Sequence, residues 1–272
     1  MNLRQLKFGW RSQFAIFLPC LWFRSQAGPS CIRCSLILLI AAGISLLHLA
    51  ANAADEKADE VAVKIVTLGD SITKGARPGV KTEETFAALV EAGLKKQGVT
   101  VQVVNVGIGG ERTDQALARL DKEVLSHKPR IVTIMYGTND SFVDKGKKEP
   151  RLSAREFREN LVAIVARLRV AGVTPMLMTE PRWGPEGRNG LDENPNGLLE
   201  NYVEECRSVA KDQKVPLVDH FAHWTKAETD GVKIADWTTD QCHPNAAGHR
   251  IMADLMLPVV LDVLRAENRQ GK

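Results

Sequence analysis

The feature that most constrains the fold is an alternation of two patterns through the chain after residue 60. Short β-branched runs, "VAVKIVTLG" (61–69), "VTVQVVNVG" (99–107) and "RIVTIMYG" (130–137), end in glycine. "VTPMLMTE" (173–180) and "VPLVDHF" (215–221) continue the series, each with a proline near its start, where a missing donor matters least. Between them lie amphipathic stretches at 82–97, 113–126, 153–172, 197–212 and 245–266. The third has Ser153 as N-cap, Glu156 three residues on and Gly172 at its end. Strands separated by helices require right-handed crossovers and a parallel sheet covered on both faces. The expectation is a three-layer α/β/α domain with a central parallel sheet of about five strands. In such sheets ligands gather beyond the carboxyl ends of the strands.

The first 53 residues are of another kind. They carry five basic residues, Arg4, Lys7, Arg11, Arg24 and Arg33, and no acidic one, followed by the apolar run "SLILLIAAGISLLHLA" and "ANA". This reads as an export signal at 1–53, with 54–272 as the folded domain and the product periplasmic or secreted. The apolar run is close to bilayer length, so a retained N-terminal membrane anchor is the alternative. The formal charge of +3 (36 basic, 33 acidic) belongs to this leader. Without it 31 basic residues face 33 acidic ones, and no polybasic run suggests nucleic acid as a partner. Cys20, Cys31 and Cys34 fall in the leader, leaving Cys206 and Cys242, a pair that an oxidising compartment could join.

Four polar clusters follow predicted strands. "GDSITKG" (69–75) puts Ser71 on the turn after the first, and "NVGIGGERT" (105–113) puts glycines after the second, where freed N–H groups can face an anion. "YGTND" (136–140) places the Asn139 amide at the third. Near the end, "DQCHPNAAGH" sets Asp240 three residues before His243, so that the carboxylate can hold Nδ1–H and leave Nε2 as a base. Singly, each has a plainer reading as a turn or cap. Together they supply a serine, the base it needs and donors for an oxyanion: Ser71 N–H, a glycine N–H within 107–110 and the Asn139 amide.

These blocks, in this order, resemble the SGNH or GDSL-type serine esterases and lipases. "GDSI" matches the first block, with Ile72 where leucine is usual; "NVGIGGERT", "GTND" and "DQCHPN" match the others. The resemblance implies a flavodoxin-like SGNH-hydrolase fold, a Ser71–His243–Asp240 triad, and an oxyanion hole of Ser71, Gly110 and Asn139. It implies neither metal nor organic cofactor. Asp70 is expected to tie down the turn, Arg112 to border the cleft, and His249 to be structural. The expected substrate is a small-molecule or carbohydrate ester. The polar 182–197 loop, "RWGPEGRNGLDENPNG", favours short acyl or sugar acetyl esters over the longer chains of lysophospholipases and thioesterases. Two other readings compete: a carbohydrate-binding module using Trp183, Trp224 and Trp237, and a metallohydrolase using Asp70, Asp240, His243 and His249.

Overall fold

A computed structural model of the chain describes residues 62–270; the leader, its apolar run and its three cysteines lie outside the described residues. Five strands, β1 (Val63–Gly69), β2 (Val101–Asn105), β3 (Ile131–Met135), β4 (Thr174–Met178) and β5 (Leu217–Val218), pair in the order β2-β1-β3-β4-β5. Every pairing is parallel. The order steps outward from β1 in both directions, so the polar ends of β1 and β3 lie side by side at a switch of direction.

The connecting helices are α1 (Ser71–Lys74), α2 (Phe86–Lys96), α3 (Thr113–Glu123), α4 (Ala154–Val170), α5 (Asn196–Asp212), α6 (His220–Thr229) and α7 (Ala246–Gln270). Two apolar clusters cover the sheet. One joins Ile65, Ile131 and Met176 to α2 and α7; the other joins Val66, Val132 and Leu177 to α3, α4 and α5. Alternate residues of each central strand thus enter different clusters, as the period of two demands.

Helix α4 starts where a capping box predicts. Ser153 Oγ accepts from Glu156 N (3.2 Å), while Glu156 accepts from Ser153 N (2.9 Å). Its spacing buries Phe157, Leu161, Ile164, Val165 and Leu168 on one side. Their burial contributes on the order of 10 kcal/mol as an upper bound. The stretch 215–221 differs from its expected strand. Only Leu217 and Val218 pair, and Asp219 then caps α6 by accepting from Ala222 N (3.0 Å). A two-residue edge strand satisfies less backbone than a ten-residue helix that buries Trp224, and the helix wins the segment.

Among the described residues no helix is long and apolar enough to cross a membrane. Cys206 and Cys242 are both buried and free, with no disulfide between them.

Candidate active site

Ser71 opens α1 directly after β1. Asp70 caps this turn: it is fully buried, and its Oδ1 accepts from Ile72 N at 2.8 Å. From the far end of the chain comes a closed turn, bridged between Thr238 and Pro244, whose tip residue Gln241 has φ +71°. The turn is further tied by Thr239 N donating to His243 O (2.8 Å). Asn245 fixes its exit, its Oδ1 accepting from Ala247 N and Gly248 N at the start of α7 (3.0 and 3.1 Å). The structure brings this turn onto Ser71. His243 Nε2 lies 2.9 Å from Ser71 Oγ, and His243 Nδ1 lies 2.9 Å from Asp240 Oδ2. With Nδ1 protonated, Nε2 is the acceptor for the serine proton.

Electrostatics set these groups for use near neutral pH. Burial of Asp240 acts to raise its carboxyl, but His243, through its backbone N–H, ring and charge, with help from Cys242 N–H, pulls it down to about 2. Burial lowers the His243 imidazole below its ordinary value; Asp240 opposes this and the Arg77 charge adds to it. The ring is therefore neutral and able to accept a proton at pH 7. Arg77, not singled out in the sequence, donates from Nη2 to Asp240 Oδ2 at 2.8 Å.

Besides Ser71 itself, the expected oxyanion donors, Gly110 and Asn139, lie on two loops that are bonded to each other. Gly110 has φ +78°, which a side chain would strain, and a Cβ at Gly107 would meet Lys74 N at 2.3 Å. Next to Gly110, buried Glu111 accepts from Arg119 Nε and Nη2 (2.6 Å each) and from Tyr136 Oη (2.6 Å). Thr113 N and Oγ1 donate to buried Asp140 Oδ1 (2.9 and 2.6 Å), joining the loop after β2 to the loop after β3. Asn139 Nδ2 donates one N–H to Asp70 Oδ2 (2.7 Å), and Asn139 Oδ1 accepts from Arg151 Nη1 (3.0 Å). The amide is thus gripped on both sides, and its second N–H has no acceptor among the described residues. Fixed donors of this kind need no rearrangement as charge develops.

Under the serine lies a group of carboxyls, of which only Asp70 stands out in the sequence. Asp70, Asp140 and Glu180 are all buried, at the ends of β1, β3 and β4. Burial raises Glu180 well above the glutamate range, and the charges of Asp70 and Asp140 push it further. Asp70 has two N–H donors, whereas neither Glu180 oxygen has any. The proton of this pair therefore resides on Glu180, which can donate it to Asp70. A lone acid ending the apolar run "PMLMTE" was the available signal.

The remaining candidates divide. His249 is fully buried, its Nδ1 accepting from Phe86 N (3.3 Å). Among the described residues no cluster of three or more His, Cys, Asp or Glu is arranged to hold a metal ion. Trp224 is fully buried and packs edge-on against Trp237 at 5.2 Å, so it offers no sugar platform. Trp183 stacks on Phe142 at 6.1 Å. Arg112 makes a two-pronged pair with Asp114 (3.1 and 2.9 Å). The 182–197 loop leans on the histidine turn through Gly184 N donating to Gln241 O (2.6 Å).

Comparison with known proteins fits this arrangement. A relative described as an uncharacterised lipoprotein of Bacillus subtilis is 33% identical over 63% of this chain and 75% of its own length. An acetylxylan esterase of Geobacillus stearothermophilus is 27% identical over 71% of this chain and 92% of its own. The crystal structure of an acetyl xylan esterase superposes with a TM-score of 0.61 at 26% identity, covering 73% of this chain and all of that one. The model of the GDSL-like lipase/acylhydrolase family matches residues 67–251, and the chain belongs to that family.

Proposed function

We propose that the protein hydrolyses carboxylic esters through an acyl-enzyme on Ser71, with His243 as general base and acid and Asp240 as its orienting partner. The observation that carries this reading is the continuous line from Asp240 Oδ2 through both ring nitrogens of His243 to Ser71 Oγ, with 2.9 Å at each step. Ser71 Oγ attacks the carbonyl carbon while its proton passes to Nε2. The tetrahedral oxyanion is held by Ser71 N–H, Gly110 N–H and the free N–H of Asn139. On collapse, the alkoxide leaves with the proton from Nε2. Water then attacks the acyl carbon, giving a proton to Nε2 that returns to Ser71 Oγ as the carboxylic acid departs.

Short acyl esters, and acetyl esters of carbohydrates in particular, are the proposed substrates. The polar loop at 182–197 beside the histidine turn supports this, as do the relatives named acetylxylan esterases. Export is the proposed destination, supported by the basic and apolar leader and by the relative named a lipoprotein.

The test is Ser71→Ala. Hydrolysis of nitrophenyl acetate is expected to fall about 10⁴-fold or more, with an unchanged circular dichroism spectrum. A folded variant with wild-type activity refutes the assignment. Profiling esters of increasing acyl length checks the substrate class, and a preference for long chains overturns it.

A further inference from the structure

Beside the oxyanion donors is a concavity of about 470 Å³ lined by Arg112, Asp144, Lys147, Lys148, Glu149, Pro150 and Arg151. It adjoins the site: Arg151 lines it and also holds the Asn139 amide, and Arg112, another lining residue, is two residues past Gly110. Its charges are not equivalent. Arg151 is matched by Asp144 (Nη2 to Oδ1 2.7 Å, Nε to Oδ2 3.0 Å), and Arg112 is matched by Asp114. Among the described residues Lys147 and Lys148 make no ion pair, and both are exposed on the loop after β3. Glu149 is the single lining carboxylate without a basic partner. The lining thus has four cations to two carboxylates, with two ammonium groups free to move towards a ligand. Flexible ammonium groups beside a rigid pair of guanidiniums suit an oxyanion whose position varies between substrates.

We infer that this concavity is a specificity subsite for an anionic group, a carboxylate or a phosphate, borne by the ester substrate a few bonds from the scissile carbonyl. The inference rests on the esterase reading above and narrows its substrate class. A neutral ester reacts without the subsite; an anionic one gains attraction to Lys147 and Lys148 in a partly enclosed basin where field is focused.

The test uses matched pairs of acetyl esters: an acetylated uronate against its neutral methyl ester, and acetylglycerol phosphate against acetylglycerol. At low salt the wild type is expected to favour the anionic member of at least one pair by about tenfold in kcat/KM, and to lose most of that preference in ~0.5 M salt. Whether the carboxylate or the phosphate pair shows the larger ratio identifies the source of the charge. Lys147→Ala/Lys148→Ala should bring the ratio to near one while neutral-ester kcat/KM stays within about twofold, and Lys147→Glu/Lys148→Glu should favour the neutral ester. Equal rates on both members in the wild type, or a preference that survives the double variant, overturn the subsite. Absence of hydrolysis of every ester defeats the esterase reading instead. In that event calorimetric titration of the Ser71→Ala protein with the acetylated uronate and with acetylglycerol phosphate decides the subsite separately: binding of either that the Lys147→Ala/Lys148→Ala change abolishes upholds it, and binding of neither rejects it.

Discussion

Replacing Arg77 by alanine removes the one cation that, among the described residues, touches the acidic end of the Asp240–His243 pair. Its Nη2 lies 2.8 Å from Asp240 Oδ2, the same oxygen that sits 2.9 Å from His243 Nδ1. Guanidinium and imidazolium would therefore share one oxygen at a separation of no more than about 6 Å. The side chains are 29% and 39% exposed for Arg77 and Asp240, so water screens the pair heavily. With an effective dielectric constant between the ~20 of a protein surface and the ~80 of water, the repulsion is about 1 kcal/mol, or half to one pH unit. The sign follows from which form works. Arg77 disfavours protonated His243, so its loss raises the imidazole pKa, and more of the ring is held in the inactive protonated form at any pH below neutrality. The acid limb of the kcat/KM profile for nitrophenyl acetate, followed from about pH 4.5 to 9, should move to higher pH by that amount, with the plateau changed only a few-fold. Arg77→Lys keeps the charge and should restore most of the shift. An acid limb that stays in place, or moves to lower pH, refutes the claim that Arg77 tunes the base.

Other expectations follow from the same contacts. Asn139→Ala removes the proposed oxyanion donor and leaves Asp70 with one fewer N–H; kcat should fall about 10²- to 10³-fold with KM little changed, in steady-state assays. Glu111→Ala strips the buried Arg119 guanidinium of its two shortest carboxylate contacts, leaving it Glu123 at 3.4 Å and the Val106 carbonyl, and orphans Tyr136 Oη, so chemical denaturation should show a loss of about 3 kcal/mol. Glu180 has its carboxyl raised in the folded protein, so the native state holds the proton more tightly than the unfolded chain. Stability therefore falls as pH rises above the ordinary glutamate value of 4.5. Glu180→Gln keeps a donor towards Asp70 and cannot ionise; its melting temperature relative to wild type should climb with pH, and a flat difference rejects the neutral-Glu180 assignment.

Much of this architecture was legible because its causes are local or periodic. The apolar runs of β1 and β3 are short, β-branched and stopped by glycine, and the spacing of Phe157, Leu161, Ile164 and Leu168 declares the face of α4 before any partner is known. Segment 215–221 was misread because a buried strand and the start of a buried helix look alike over seven residues; the Asp219 cap was the distinguishing mark. At the site, Ser71, Gly110 and Asn139 were visible as polar or glycine interruptions after strands, and Asp240 and His243 as a carboxylate three residues before an imidazole. Arg77 was not, since its partner is 163 residues away and nothing in "GARPGV" advertises the meeting. Arg151 and Asp140 were hidden for the same reason: each acts by fixing another group across a loop, a role that exists only once the loops have met.

Because Asp240 and His243 share one closed turn, the pairing of imidazole and carboxylate is settled within four residues of chain and travels as a unit. On the proposed mechanism what remains to be set is the approach of that turn to the serine, and the Gly184–Gln241 contact places the polar 182–197 loop directly against it. A ligand bound on that loop would bear on the proposed proton acceptor through these backbone contacts without touching the serine at all.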